Sequence, residues 1–216
     1  VAGAFIVYAI YGPYLPEAIA FKGVSLERFM GQQTMSTEGV YGIPLDVSAS
    51  IVFLFVLFGA MMDKAGGGEY FVRLAYSLLG SFRGGPAKAA VMASGMTGMV
   101  SGSSIANVVT TGTFTIPLMK SVGYPGKKAA AIEVGASTDG QLMPPIMGAA
   151  AFIIAEYCNM PYLEVVKAAF IPAVLSYLTL FYITHLEACK LGLKRVPRSE
   201  LPPFLPTLLS GLHFLI

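Results

Sequence analysis

Apolar runs separated by short polar stretches dominate the chain, and two of them are long enough to cross a lipid bilayer. Residues 45–62 contain eight consecutive apolar side chains, from Ile51 to Phe58, and residues 165–186 are also largely apolar. A helix of about 18 to 20 apolar residues crosses a hydrocarbon core of roughly 30 Å. We therefore predict a transmembrane span at each place, and a loop at residues 21–44.

Two further apolar segments lie at the ends of the sequence. Residues 1–20 are apolar but are interrupted by Gly12, Pro13 and Pro16, and a proline ends or kinks a helix because it lacks a backbone donor. Residues 204–216 begin another apolar run. We expect both segments to belong to spans of a larger polytopic protein, of which this chain is an internal fragment.

A re-entrant helical hairpin is predicted between residues 84 and 128. Basic residues flank this segment on both sides, namely Arg83, Lys88, Lys120, Lys127 and Lys128, and the positive-inside rule places both flanks in the cytoplasm. A segment with both ends on one side must enter the membrane and return. Its arms, residues 87–100 and 104–119, span about 21 to 24 Å at 1.5 Å per residue, which is less than a full crossing. Its tip lies at Ser101 to Ser104.

A broken helix is predicted after the hairpin. Residues 129–136 start it, residues 137–145 interrupt it and residues 146–157 resume it, because Pro144 and Pro145 disfavour helix in the residues before them. Before the hairpin, residues 69–82 are too short to span and are placed along the membrane interface. The basic residues after residue 186 put the end of the last full span in the cytoplasm.

The predicted organisation has four regions. Residues 1–83 form scaffold-like spans, a loop and the interfacial helix, and residues 84–158 form the hairpin and broken helix, which resemble a transport site. Residues 159–203 form a span and a cytoplasmic connector, and residues 204–216 start a truncated span. The fold class is an all-α, multi-pass membrane protein.

Composition agrees with a protein that resides in a lipid bilayer. The chain is 55% hydrophobic and 12% charged, with a mean hydropathy of +0.69, which is too apolar for a soluble domain of this length. A net charge of +2 gives no basis for a nucleic-acid partner. The two cysteines have no metal-ligand spacing, so neither a disulfide framework nor a zinc site is predicted.

The two polar interruptions are the candidate binding site. Irregular backbone at membrane depth persists only where it lines a cavity or is enclosed by protein, and half-helix ends attract anions or small cations. Neutral oxygens suit a hard cation such as sodium, and no organic cofactor is expected. The candidate sodium ligands are Ser103, Asn107, Thr138, Asp139 and Gly140. The candidate substrate-binding residues are Ser104, Asn107, Thr110, Thr138 and Pro145.

Other interpretations use the same residues. Small residues at the tip also serve close helix packing, and Pro144-Pro145 also makes a simple kink. A channel-like or scaffolding membrane protein without coupled transport is the alternative function. An enzyme is not predicted, because the sequence around Ser101 does not match a nucleophile elbow, and residues 123–128 lack the spacing of a phosphate-binding loop.

Several motifs resemble the large membrane subunit (DctM-like) of tripartite ATP-independent periplasmic (TRAP) transporters. They are the segments 101–108 (SGSSIANV), 115–120 (TIPLMK) and 141–156 (QLMPPIMGAAAFIIAE). Segments 37–44 (TEGVYGIP) and 84–88 (GGPAK) are most similar to the fused-permease branch, whose partners are periplasmic substrate-binding proteins of the TAXI type. The resemblance covers the chain from about residue 15 to residue 193.

This resemblance implies a secondary transporter of the inner membrane that imports an organic acid, such as a C4-dicarboxylate, by sodium symport. It also implies an elevator motion and an inverted repeat, of which this chain holds roughly the first half. In the family, the position of Asp139 is usually glycine. The carboxylate of Asp139 therefore adds either a cation ligand or a titratable group to the site, or faces water at the broken-helix loop.

Overall fold

The computed structural model describes residues 1–214, and these contain eleven α-helices and no β-strand. The chain divides into two compact units, Val1–Ser50 and Ile51–Ile216. The all-helical class predicted from the apolar pattern is confirmed.

The first unit is built from short helices. Helix α1 (Ala2–Tyr11) ends where Gly12 and Pro13 start a 3-10 turn, Gly12–Tyr14, so the interruption predicted at these residues is confirmed. Helices α2 (Leu26–Met35) and α3 (Ile43–Val47) follow.

The prediction of a loop at residues 21–44 is wrong at α2. The side chain of Ser25 caps this helix by accepting a hydrogen bond from the backbone N–H of Arg28 at 3.3 Å. Glu27 in the first turn also favours helix there, because a negative charge interacts well with the positive end of a helix.

Two helical runs are long and apolar enough to cross a membrane, and both coincide with predicted spans. The first, Ile43–Lys64, has 22 residues and includes a π-helical turn (Ser48–Val52) and helix α4 (Phe53–Lys64). The second, helix α10 (Tyr162–Lys190), has 29 residues. Both expose large apolar side chains such as Leu54, Phe58 and Leu178. These faces have the chemistry of surfaces that contact lipid.

The hairpin segment folds as two antiparallel helices joined by two residues. Helix α6 (Gly85–Ser101) and helix α7 (Ser104–Ser121) are longer than the predicted arms by a few residues at their ends. Gly102 adopts a left-handed conformation, φ +60°, which reverses the chain with little strain for glycine. The hydroxyls of Ser94 and Thr111 meet across the pair at 3.2 Å. Its re-entrant position in a membrane stays a prediction.

The broken helix is present, but its break starts later than predicted. Helix α8 (Gly126–Gly140) includes residues 137–140, which the sequence pattern assigned to the interruption. Pro144 and Pro145 act mainly on the residue before each of them, so they do not interrupt the helix at 137–140. There the hydroxyl of Thr138 donates to the carbonyl of Val134 at 2.8 Å and that of Ser137 to the side chain of Glu133. The irregular segment is residues 141–148, and helix α9 (Ala149–Tyr157) follows it.

Helices α6, α7 and α8 form the centre of the second unit together with α5 (Gly67–Leu79). Helix α5 corresponds to the predicted interfacial helix at residues 69–82. Small side chains let α6 and α8 approach closely, and a Cβ atom added to Gly98 would lie 2.6 Å from the Cα of Gly140. Tyr177 of α10 closes this core, and its hydroxyl donates to the carbonyl of Ala136 at 2.9 Å.

The contact between α6 and α8 gives a test of the fold. Gly98→Ala should lower the free energy of unfolding by about 1–3 kcal/mol, because the new methyl group meets backbone atoms that cannot move independently. Gly135→Ala in α8 is the matched control, since its Cβ would lie an ordinary 3.7 Å from Leu180. Alanine also favours helix over glycine, so this control should be neutral or stabilising. The melting temperatures of the two variants in detergent measure this difference. Equal changes in melting temperature would contradict the close packing of α6 against α8.

Candidate functional site

The tip of the hairpin borders a cavity of about 300 Å³ in the second unit. Its wall contains the hairpin residues Ser101 to Ile105 together with residues of α4, the 141–148 segment and α9. The other lining residues are Val52, Phe55, Val56, Gln141, Met147, Ala149, Ala150 and Phe152. The cavity therefore lies where both polar interruptions of the sequence meet.

Two helices begin at this cavity. Helix α7 starts at Ser104 and helix α9 starts at Ala149, and both residues line the cavity. The first N–H groups of a helix have no partner within it, and they give the amino-terminal end a partial positive charge. No Lys, Arg, Asp or Glu is found among the described residues that line the cavity. The field of the helix ends therefore favours an anionic group such as a carboxylate.

Two serine hydroxyls lie near the tip of the hairpin. Helix α6 ends at Ser101, and the hydroxyl of Ser101 is buried without a hydrogen-bond partner in the described part of the chain. The cap of α7 is Ser103, whose hydroxyl accepts from the N–H of Ala106 at 3.3 Å. Hydroxyl and carbonyl oxygens of this kind are the ligands that hard monovalent cations accept. Ser103 is a cavity-lining residue with such an oxygen, whereas the hydroxyl of Ser101 is buried.

Two aromatic rings, those of Phe55 and Phe152, also line the cavity. Phe152 of α9 stacks on Phe55 of α4, with ring centroids 5.4 Å apart, and on Tyr162 at 4.3 Å. The hydroxyl of Tyr162 donates to the carbonyls of Pro145 and Ile146. This stack holds the irregular segment in place and offers an apolar surface to the carbon skeleton of a ligand.

The structure brings only some of the predicted site residues to the cavity. Ser103 and Ser104 line it. Asn107 is fully buried below the tip, where its amide nitrogen donates to the carbonyl of Ser94 at 2.8 Å. Gly140 is next to it, since a Cβ atom on Gly140 would lie 3.4 Å from that nitrogen.

The remaining predicted residues lie elsewhere in the second unit. Thr110 donates to the carboxylate of Asp63 at 3.2 Å. Thr138 is exposed on α8, Asp139 is half-buried in the last turn of that helix, and Pro145 is exposed in the irregular segment. The roles assigned to these residues from sequence stay predictions.

Sequence reasoning missed Glu133, which occupies the centre of a buried polar cluster. Its carboxylate is completely enclosed and accepts hydrogen bonds from hydroxyls of α6, α7 and α8. The sequence does contain a signal for this residue, because Glu133 is ionisable and lies in a run of Ala, Ile, Val and Gly. An ionisable residue at membrane depth marks a functional position. Ser101, with its unpartnered hydroxyl, was treated only as part of the hairpin tip.

Comparison with known proteins gives the family. The model of the family described as "Tripartite ATP-independent periplasmic transporter, DctM component" matches residues 1–216. The chain is also similar to the C4-dicarboxylate TRAP transporter large permease protein DctM of Pseudomonas aeruginosa, with 32% identity over 75% of this chain and 38% of that protein.

Two further relatives agree with this assignment. The DctM protein of Vibrio cholerae is 32% identical over 67% of this chain and 31% of its own length. The sialic acid TRAP transporter permease protein SiaT of Haemophilus influenzae is 30% identical over 67% of this chain and 23% of its own length. The chain thus spans less than two fifths of the length of these relatives. By the match along its whole length, the chain belongs to the DctM family of TRAP transporter large permeases.

Proposed function

We propose that this chain is part of a permease that imports an organic acid by secondary active transport with sodium coupling. The observation that carries the proposal is the cavity at the hairpin tip, where the amino-terminal ends of α7 and α9 meet. Membership of the DctM family supports transport as the function, since this is a family of permeases and not of enzymes.

The proposed substrate is a carboxylate. The helix ends attract a negative charge, and the aromatic wall at Phe55 and Phe152 accommodates carbon atoms beside it. Relatives are named for C4-dicarboxylates and for sialic acid, and both compounds are organic acids. Ser104 is the proposed hydroxyl contact with the substrate, because it lines the cavity at the start of α7.

The proposed cation is sodium, bound by oxygens near the tip. Ser103 lines the cavity and carries a hydroxyl oxygen, and the buried hydroxyl of Ser101 lies at the end of α6. Asn107 and Gly140 are adjacent to one another. Asp139, Thr138, Thr110 and Pro145 stay in the proposal as secondary candidates from sequence. A cation beside the helix ends neutralises part of the charge of a bound acid, so binding of one favours binding of the other.

The proposed setting is the inner membrane, where a periplasmic binding protein delivers the acid. The motifs at residues 37–44 and 84–88 favour a TAXI-type partner. The hairpin is proposed to be re-entrant and to move as part of an elevator, with a second repeat beyond this segment supplying the rest of the site.

The first prediction concerns the driving force. The full-length permease, with its binding protein, should accumulate the organic acid in proteoliposomes only when an inward sodium gradient is imposed. Uptake that follows a pH gradient and ignores sodium would contradict sodium coupling. Currents far above carrier turnover, or no flux with a folded protein, would favour the channel-like or scaffolding alternative.

The second prediction concerns Ser104. Ser104→Ala should raise the half-saturating concentration of the organic acid about tenfold or more, because one hydrogen bond to a charged group is worth roughly 1.5–3 kcal/mol. Ser121→Ala is the matched control, since this serine lies at the other end of α7 and its hydroxyl bonds to the carbonyl of Leu118. Initial uptake rates measure both variants. If both variants change the half-saturating concentration of the acid equally, Ser104 is not a substrate contact.

The third prediction concerns Asp139. If its carboxylate binds the cation, Asp139→Asn removes a negative charge from the site and should raise the sodium dissociation constant about tenfold or more, since a contact with a charged group is worth roughly 1.5–3 kcal/mol. Asp139→Gly should fold normally. Sodium titrations of the full-length permease by calorimetry test this. Equal sodium affinity in wild type and Asp139→Asn would show that the carboxylate has no part in coupling.

A further inference from the structure

An apolar groove with basic side chains beside it lies where the end of α5, the start of α6 and the last part of α10 come together. Its volume is about 370 Å³, and among the described residues it shares no lining side chain with the cavity at the hairpin tip. The residues that line it are Leu79, Phe82, Lys88, Phe181, Tyr182 and His185. The groove therefore combines apolar carbon with two basic groups.

Lys88 keeps hydrogens that the described part of the chain does not use. Its ammonium contacts Nδ1 of His185 at 3.2 Å and lies 5.6 Å from the ring centre of Phe82. An ammonium carries three donor hydrogens, and the contact with His185 uses at most one of them. None of the ion pairs among residues 1–214 includes Lys88. Its remaining donors are available to an external anion.

Further positive charge surrounds this end of α10. The sulfur of Cys189 lies 3.8 Å from Nε2 of His185 and 3.9 Å from the guanidinium of Arg83. Arg83 is also held there by a hydrogen bond to a backbone carbonyl after α10, at 3.1 Å. The charge of Arg195 acts on Lys88 as well. In the described residues, no carboxylate lies within ion-pair distance of these basic groups, so their charge is complementary to an anion.

An apolar stripe on α10 continues from the groove. Leu175, Leu178 and Tyr182 have exposed fractions of 59%, 60% and 63%. Their spacing of three and four residues places them on one face of the helix, along about 10 Å of its length at 1.5 Å per residue. Because α10 is long and apolar enough to cross a membrane, this face has the chemistry and the length to contact part of an acyl chain.

A phospholipid carries both groups that this surface fits. Lysine and arginine residues follow α10 between residues 190 and 198, and the positive-inside rule places that end in the cytoplasm. The cytoplasmic leaflet is rich in anionic lipids, and basic pockets between transmembrane helices on that side bind their headgroups. A soluble anion would contact the basic groups but would leave the apolar groove uncovered. The combination favours a lipid over a free anion.

We propose that this groove binds an anionic phospholipid, with its phosphate at Lys88 and an acyl chain against Tyr182 and along α10. A lipid held there contacts α6, which is the first arm of the hairpin, and α10, which is the long span. It therefore joins these two helices from the outside of the second unit. The proposal uses none of the residues assigned to the substrate or the cation, so it stands or fails independently of them.

Two lysines provide a matched test of the charge. Lys88→Met and Lys127→Met each remove one positive charge and keep an apolar stem. Lys127 is exposed in the first turn of α8 and does not line the groove. General attraction between the protein and an anionic lipid affects both variants alike, whereas loss of a specific headgroup contact affects only Lys88→Met. Lys88→Arg retains the charge and should retain binding.

Two tyrosines provide a matched test of the apolar part. Tyr182 and Tyr157 are 63% and 65% exposed, but only Tyr182 lines the groove. Tyr182→Ala removes a contact with the acyl chain and leaves the basic groups in place. A lipid should therefore bind this variant more weakly than Tyr157→Ala, whereas a free anion should not distinguish the two.

The measurement is native mass spectrometry of the full-length permease in detergent, titrated with phosphatidylglycerol or with phosphatidylcholine. The wild type should bind phosphatidylglycerol more tightly. Lys88→Met should raise the dissociation constant of phosphatidylglycerol about fivefold, as expected for one basic contact near a membrane surface, and Lys127→Met should stay within about twofold of the wild type. Melting temperatures show which variants are folded. Should Lys88→Met fail to fold, the tyrosine pair decides.

Three results would overturn the proposal. Equal affinity of the wild type for the two lipids would show that the groove does not select a negative charge, or that another part of the permease covers it. Equal weakening by Lys88→Met and Lys127→Met would show general attraction without a site. Displacement of phosphatidylglycerol by inorganic phosphate at equal concentration, with no effect of Tyr182→Ala, would identify a free anion as the ligand.

Discussion

The structure depends on satisfying one buried carboxyl group with hydroxyl groups of the surrounding helices. Glu133 lies where α6, α7 and α8 meet, and hydroxyls from all three helices donate to it. Because an unsatisfied carboxyl group in such a place is costly, the helices are held in the one arrangement that supplies these donors. The close approach of Gly98 and Gly140 is compatible with that arrangement, since larger side chains there would separate α6 from α8.

This fixed three-helix unit determines where the helix ends lie. Two residues separate the end of α6 from the start of α7, and the segment after α8 returns so that α9 begins at the same cavity. The positive ends of α7 and α9 and the capping residue Ser103 are thereby brought together around a cavity of about 300 Å³. An acid and a cation bound there would stabilise one another, which is the physical basis of coupled transport.

Much of this arrangement was predictable from sequence, because glycine, proline and apolar runs act locally. The two long helices, the turn at Gly102 and the break near Pro144 follow from such signals. The start of the break was misplaced because a proline disfavours helix mainly in the residue before it, so α8 continues through Ser137 and Thr138 to Gly140. Helix α2 was not predicted, because Ser25, which caps it, was assigned to the loop at residues 21–44.

The site was less predictable, because burial and partners are properties of the packed helices. Sequence alone did not show that Asn107 faces Ser94 or that Ser101 borders the cavity. The most direct test is a cryo-EM map of the full-length permease with its organic acid and sodium. The account predicts the carboxylate within about 3 Å of N–H groups at the starts of α7 and α9. An acid bound on another face, with this cavity empty, would contradict it.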